Sequence, residues 1–120
     1  MSATVMIVDD AVFMRTILRG ILQDKGYTVV AEAASGIEAM KNLQMHTPDI
    51  VTLDIILPDA NGLELLESIL KTSPATKVVI CSSMGQEAII SKAMNHGAAA
   101  YIQKPFTPDK VVEALRGLGA

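Results

Sequence analysis

Five short apolar runs alternate with five amphipathic stretches along this chain of 120 residues, and each run precedes one stretch. The apolar runs are rich in β-branched residues and of strand length, which predicts strands over residues 4–8, 28–32, 50–53, 77–81 and 99–102. The stretches between them carry apolar residues at helical spacing, which predicts helices over residues 12–24, 36–45, 62–71, 86–95 and 108–117.

Strands that alternate regularly with helices are typical of a parallel sheet with helices on both faces and right-handed crossovers. Glycines and prolines mark the connections, with Gly26, Gly97 and Gly117 placed where helices should stop. The sequence therefore predicts the α/β class, as a doubly wound, five-stranded parallel sheet with five helices. No linker or repeat interrupts the pattern, so one domain is expected.

The composition excludes several classes of partner. The formal net charge is −3, and the chain has no Trp, two Tyr and two Phe. This mildly acidic, aromatic-poor composition argues against direct binding of nucleic acid. No apolar run approaches the roughly 20 residues that cross a membrane, and no segment resembles a secretory signal. We expect a cytoplasmic protein in which the single cysteine, Cys81, is a buried strand residue.

Polar residues of chemical interest fall directly after four of the predicted strands. Asp9-Asp10 follows the first strand, Asp54 the third, Ser82-Ser83 the fourth and Lys104-Pro105 the fifth. Because open α/β sheets bind ligands at the carboxyl ends of their strands, we expect these side chains to converge. The sequence therefore predicts one functional site at that edge of the sheet.

Carboxylates that converge at a water-accessible edge repel one another unless positive charge compensates them. Lys104 and a bound cation are the candidates, and oxygen ligands that leave room for water suit Mg²⁺. Asp10 alone could instead cap the following helix, although one cap does not need two acids. We expect a magnesium site formed by Asp9, Asp10 and Asp54.

The ordered set of motifs resembles the receiver family of two-component response regulators over essentially the full length of the chain. The motifs are Val8-Asp9-Asp10, Asp54-Ile55-Ile56-Leu57-Pro58-Asp59-Ala60-Asn61-Gly62, Ser82 and Lys104-Pro105. The resemblance implies a flavodoxin-like fold with strand order 2-1-3-4-5, and one receiver domain over residues 1–120. It also implies a Lys104-Pro105 peptide bond in the cis form.

The resemblance implies how the site would hold metal and phosphate. Asp54 would be the phosphoacceptor, and Asp9 and Asp10 would hold Mg²⁺ together with Asp54 and the Ile56 main-chain carbonyl. Lys104 would neutralise charge on the phosphoryl group. The phosphoryl donor would be a sensor histidine kinase. Such a protein is a signalling domain that assists its own phosphorylation and dephosphorylation, and is not an enzyme acting on other substrates.

The resemblance also implies a switch. Ser82 would donate its hydroxyl hydrogen to the phosphoryl group and thereby pull the loop after the fourth strand. Tyr101, in the fifth strand, would change rotamer as that loop moves. Ser83 would not reach the phosphate, because successive side chains of an extended segment point to opposite faces, and is expected to be a local turn or cap residue.

Residues 9–15 and 81–86 look like the corresponding segments of chemotaxis-type regulators that engage the flagellar motor switch. The resemblance therefore implies the motor switch, or another output protein, as the target, and a separate phosphatase as a possible further partner. It places docking on the face formed by the fourth helix, fifth strand and fifth helix. The candidate residues on that face are Ala88, Ile89, Lys92, Tyr101, Val111 and Val112.

Two alternatives remain open from the sequence. The chain could be the receiver domain of a longer regulator, for example a transcriptional one. It could be a magnesium-dependent phosphatase with an aspartyl nucleophile. Such enzymes, however, carry a second Asp two residues after the nucleophile, and Ile56 occupies that position here. Flavodoxin-like electron transfer is disfavoured, because the loop after the first strand is acidic where a flavin phosphate needs positive potential.

Overall fold

The five strands form a single parallel sheet in the order β2-β1-β3-β4-β5. The structure is a computed structural model that describes residues 3–118. The strands are β1 (Thr4–Val8), β2 (Thr28–Ala33), β3 (Ile50–Leu53), β4 (Lys77–Ser82) and β5 (Ala100–Gln103). This order confirms the doubly wound, flavodoxin-like arrangement, and places β1 and β3 side by side near the centre of the sheet.

Each strand is followed by one helix, as the alternation predicts. The helices are α1 (Val12–Asp24), α2 (Gly36–His46), α3 (Gly62–Thr72), α4 (Glu87–Asn95) and α5 (Pro108–Arg116). Every boundary of a predicted helix or strand lies within one residue of the observed one. Hydrophobic periodicity and Gly and Pro punctuation are strong in this chain, because each element buries at least one face.

Two apolar cores lie on opposite faces of the sheet. On one face α1 and α5 pack against the side chains of alternate strand residues such as Ile7 and Val79. On the other face α2, α3 and α4 cover residues such as Val8 and Ile80. Central strands that are buried on both faces need apolar residues at nearly every position, which explains their unbroken hydrophobic runs.

The helix ends show which turns the sequence could identify. Gly26 and Gly97 adopt φ values of 91° and 106° after α1 and α4, a region that glycine enters without steric cost. Gly117, in contrast, has right-handed geometry. The left-handed residue that ends α2 is Thr47, with φ of 39°, which no sequence signal marks.

One predicted surface residue is buried. Val111 was expected on the docking face, but its side chain is fully buried in the core beneath α5. The reason is helical spacing: Val111 and Leu115 are four residues apart and therefore share the inward face of α5. Cys81 is buried as predicted, and burial raises the pKa of its thiol to about 12. Within residues 3–118, no helix combines the length and apolar character that spanning a membrane requires.

Candidate functional site

The polar residues predicted from the strand ends meet at the carboxyl edge of the sheet. Asp9 follows β1 and Asp54 follows β3, and the main-chain amide of Asp54 donates to the Val8 carbonyl at 3.0 Å. Since β1 and β3 are parallel neighbours in register, the two carboxylates emerge side by side. Both residues are buried, with exposed fractions of 5% and 8%.

Lys104 lies between these two carboxylates. Its Nζ donates to Oδ2 of Asp9 at 2.6 Å and to Oδ2 of Asp54 at 3.0 Å. Burial alone would lower the pKa of Lys104, but hydrogen bonds and coulombic attraction from Asp9 and Asp54 outweigh it and leave that pKa raised. The Lys104 main-chain amide donates to the Ser82 carbonyl, and the Lys104-Pro105 peptide is cis, as expected.

Asp10 completes a cluster of three acids. One carboxylate oxygen from each of Asp9, Asp10 and Asp54 lies within 4.8 Å of the other two. The Asp10 side chain is exposed and makes no hydrogen bond to any residue in the described range 3–118. The alternative in which Asp10 caps α1 is wrong, because Ala11 occupies the N-cap position and its amide donates instead to Oδ1 of Asp9 at 2.9 Å.

This donor set fits a hard divalent cation. Hard cations prefer carboxylate and carbonyl oxygens, and Mg²⁺ usually keeps several waters and takes only one or two carboxylates directly. The exposed Asp10 supplies oxygens that no protein donor occupies, whereas Asp9 and Asp54 already share one positive charge from Lys104. The cluster is thus compatible with Mg²⁺ at the rim of the sheet.

The loop between β3 and α3 contacts the Asp54 carboxylate directly. The Ile56 amide donates to Oδ1 of Asp54 at 3.1 Å, so both oxygens of that carboxylate have protein donors. Asn61 caps α3 by accepting from the Leu63 amide at 2.8 Å. A Cβ at Gly62 would lie 2.3 Å from the Ile55 Cα, so only glycine allows the loop to close on itself here.

Asp59 holds the same loop to a distant helix, and sequence analysis missed this role. Its two carboxylate oxygens accept from the Gly36 amide at 2.7 Å and the Ile37 amide at 3.0 Å, in the first turn of α2. These two bonds hold the pKa of Asp59 below its ordinary value. The sequence shows an acid in a loop, but the partner lies 22 or 23 residues earlier and no local pattern marks it.

Ser82 and Tyr101 lie on either side of the loop after β4. Ser82 is fully buried and its Oγ accepts from the Met84 amide at 3.2 Å. The Tyr101 hydroxyl donates to the Met84 carbonyl. Burial raises the pKa of Tyr101. Ser83, in contrast to Ser82, is exposed.

Comparison with known proteins agrees with this geometry. The response regulator receiver domain family matches residues 5–116. The chain is 49% identical over 110 residues to the chemotaxis protein CheY of Listeria monocytogenes, covering 92% of both chains. It is 46% identical over 115 residues to CheY of Thermotoga maritima, covering 96% of both.

Among solved structures, the fold is similar to that in a crystal structure of the CheX-CheY-BeF3-Mg²⁺ complex from Borrelia burgdorferi. The TM-score is 0.94 at 32% identity, over 98% of this chain and 90% of that one. The shared strand order, the acid cluster and the match over nearly the whole chain lead to one conclusion. This chain belongs to the response regulator receiver domain family and resembles its chemotaxis members.

Proposed function

We propose that Asp54 accepts a phosphoryl group from a phosphohistidine on a sensor histidine kinase, in a reaction that requires Mg²⁺. The observation that carries this proposal is the contact of Lys104 Nζ with Oδ2 of Asp54, beside the oxygens of Asp9 and Asp10. An aspartate in such surroundings has one cationic partner, Lys104, for a phosphoryl oxygen, and the neighbouring acids would hold Mg²⁺ as a second.

In the transfer step, an oxygen of Asp54 attacks phosphorus, and an acyl phosphate forms as the phosphorus–nitrogen bond of phosphohistidine breaks. The electron pair of that bond stays on the departing imidazole. Phosphoryl transfer depends mainly on positioning and charge neutralisation. Lys104 is placed to hold one phosphoryl oxygen, and Asp9, Asp10 and the Ile56 carbonyl would hold Mg²⁺ with Asp54. The bound Mg²⁺ would neutralise charge on the phosphoryl group.

The conformational signal would pass through Ser82 and Tyr101. If the Ser82 hydroxyl turned to the phosphoryl group, its bond from the Met84 amide would be lost and the loop after β4 would move. The Tyr101 hydroxyl contacts the carbonyl of the same Met84, so a movement of this loop would also release the tyrosine. The two contacts on one loop residue support a coupled switch.

The output would be binding by the face that β5 presents with α4 and α5. Similarity to CheY proteins supports a chemotaxis role, with the flagellar motor switch as the target. Ala88 and Lys92 are exposed on this face, and Ile89, Tyr101 and Val112 are partly exposed. A separate phosphatase would end the signal. We further propose that residues 1–120 act as one receiver domain in the cytoplasm.

Phosphorylation can be tested with a small acyl-phosphate donor, which removes the need for the kinase. Incubation with MgCl₂ should add the mass of one phosphoryl group to the wild-type protein, and EDTA should prevent it. Asp54→Asn should block the addition, whereas Asp59→Asn should still accept the group, since Asp59 lies in the same loop outside the cluster. Wild-type labelling of Asp54→Asn would contradict the proposal.

A further inference from the structure

Arg15, in α1, contacts both strand β2 and the main chain of Asp9, a member of the acid cluster. Its Nη1 donates to the main-chain carbonyl of Asp9 at 2.5 Å, and its Nε donates to Oε1 of Glu32 at 3.2 Å. The Arg15 side chain is 14% exposed, although it carries a full charge. One guanidinium thus joins α1, strand β2 and the loop after β1.

The carbonyl that Arg15 contacts belongs to the peptide that links Asp9 to Asp10. The Asp9 amide is fixed by the Ala33 carbonyl at 3.0 Å, and the Asp9 side chain is fixed by the Ala11 amide and Lys104. The Asp10 side chain has no such partner in the described part of the chain. The orientation of the Asp10 carboxylate is therefore set by its backbone, and the Arg15 contact is a restraint on that backbone.

Glu32 is the anchor that keeps Arg15 in place. Its carboxylate, 25% exposed, accepts from Arg15 through Oε1 and from Arg19 through Oε2. Arg19 lies one turn further along α1 and is 41% exposed, and it contacts neither Asp9 nor Asp10. The two arginines therefore share the same anion and the same charge, but only Arg15 reaches the carbonyl beside the acid cluster.

We infer that Arg15 is a positioning residue for the magnesium site, which holds the Asp9–Asp10 peptide so that the Asp10 carboxylate faces the metal. This inference rests on the proposed requirement for Mg²⁺. Residues behind the direct ligands commonly change metal affinity by about 10–100-fold when they are replaced. The forked guanidinium suits this task, because it donates to the carbonyl and to Glu32 at the same time.

The charge of Arg15 and its hydrogen bond act in opposite directions on metal affinity. A cation beside three carboxylates disfavours a second cation, so removal of the charge alone should strengthen Mg²⁺ binding. Loss of the hydrogen bond should weaken binding, because Asp10 is then no longer held. The sign of the change in affinity therefore separates a positioning role from a simple electrostatic one.

The test is an NMR titration of the full chain with MgCl₂ at fixed ionic strength, which gives the Kd for the metal alone. Arg15→Met should raise the Kd about tenfold. The matched control Arg19→Met removes the same charge from the same Glu32 and should leave the Kd unchanged or slightly lower. An unchanged or lower Kd for Arg15→Met, or an equal rise for Arg19→Met, would overturn the inference.

A kinetic measurement adds a readout that a purely structural defect would not give. With an acyl-phosphate donor, Arg15→Met should need about tenfold more Mg²⁺ for half-maximal phosphorylation, while the rate at saturating Mg²⁺ stays close to that of wild type. A loss of rate at saturating Mg²⁺ with no change in the half-maximal concentration would contradict a positioning role.

A conservative variant keeps the question open to test if Arg15→Met does not fold. Arg15→Lys retains the charge but cannot donate to the Asp9 carbonyl and Glu32 at once, so its Kd should also rise. A wild-type Kd for Arg15→Lys would contradict the inference that Arg15 must donate to the Asp9 carbonyl and to Glu32 at the same time. If wild type itself binds no Mg²⁺, the proposed function fails, whereas normal wild-type binding with an unaffected Arg15→Lys rejects only this inference.

Discussion

Lys104 Nζ lies 3.0 Å from Oδ2 of Asp54 across 50 residues of sequence, and the same nitrogen lies 2.6 Å from Oδ2 of Asp9. One ammonium group therefore donates to two buried carboxylates and compensates part of their charge. These two acids are only 5% and 8% exposed, so their contacts with one cation offset part of the cost of burying them at the ends of two central strands.

Lys104→Met should destabilise the protein in EDTA by about 3 kcal/mol, because removal of one member of a buried ion-pair network leaves uncompensated charge. Urea unfolding at pH 7 with and without MgCl₂ measures this change. Saturating Mg²⁺ should recover part of the loss, since the metal supplies positive charge to the same carboxylates. Equal destabilisation with and without Mg²⁺ would contradict a shared charge-compensating role.

The pH dependence of this stabilisation follows from the raised pKa of Lys104. A raised pKa in the folded state means that the contribution is fully present below the ordinary value of 10.5 and is lost as the pH rises through the folded value. The difference in melting temperature between wild type and Lys104→Met should therefore be constant near neutral pH and decrease only in strongly alkaline buffer.

Asp10→Asn should have opposite effects in the presence and absence of metal. In EDTA it removes a charge that repels Asp9 and Asp54 and has no protein partner, so it should stabilise the exposed rim by about 0.5–1 kcal/mol. With Mg²⁺ present it should abolish most of the stabilisation that the metal gives to wild type. Thermal unfolding of both proteins across a range of MgCl₂ concentrations measures both effects. A lower melting temperature for the variant in EDTA would argue against carboxylate repulsion.

The central residues of the site were predictable because they depend on topology. Asp9, Asp54 and Lys104 each stand directly after a strand, and parallel strands bring their carboxyl ends to one edge of the sheet. Short local periodicities were sufficient to place those strands within one residue. The family resemblance then supplied the strand order, which periodicity alone does not determine.

The residues that support the site were not predictable in this way. In the sequence, nothing distinguishes Arg15 from other polar residues of α1. Its contact with the Asp9 carbonyl depends on how α1 packs on the sheet and on Glu32 in strand β2. The sequence shows Asp59 only as an acidic loop residue, although its carboxylate accepts from the first turn of α2. Such contacts join elements that are far apart in sequence, so they emerge only once the elements are packed.

Asp59→Asn should loosen the loop after β3 in a pH-dependent manner. The pKa of Asp59 lies below its ordinary value of 3.8 because its carboxylate accepts two amides of α2. A lowered pKa means that this stabilisation is present above the ordinary value and is lost as the pH falls through the folded one. The melting temperatures of wild type and Asp59→Asn should therefore differ at pH 7 and approach each other in acid. A difference in melting temperature that persists unchanged in acid would contradict a stabilising role of the charged Asp59 carboxylate.

Thr52→Val should stabilise the protein without affecting phosphorylation. The Thr52 side chain is 1% exposed, and its hydroxyl has no hydrogen-bond partner within the described residues 3–118. It pairs with Ile7 and Val79 in the sheet and so faces the apolar core beneath α1 and α5. Because a buried hydroxyl without a partner costs about 1–3 kcal/mol, replacement by a methyl group should gain about 1 kcal/mol. Urea unfolding checks this, and a less stable variant would indicate an internal water on the hydroxyl.

The lifetime of the phosphorylated state should depend on two apolar side chains beside the site. Ile56 and Met84 stand two residues after Asp54 and Ser82, and their main-chain amides donate to the side chains of those residues at 3.1 Å and 3.2 Å. Ile56 is 59% exposed, so its side chain does not pack in the core, while Met84 is partly buried. Apolar groups exclude water without orienting it by hydrogen bonds, so we expect slow self-hydrolysis in wild type.

Ile56→Asn and Met84→Glu should each shorten that lifetime several-fold, because a polar side chain can hold and orient the water that attacks phosphorus. Ile56→Leu is the matched control, since it keeps an apolar side chain of the same size and should decay at the wild-type rate. The measurement is loss of the phosphoryl mass from purified protein at fixed MgCl₂. Met84 also contacts Ser82 and Tyr101 through its main chain, which the substitution leaves in place, so a faster decay would reflect the side chain. Unchanged or slower decay in both polar variants would refute water exclusion and leave the two residues with a packing role alone.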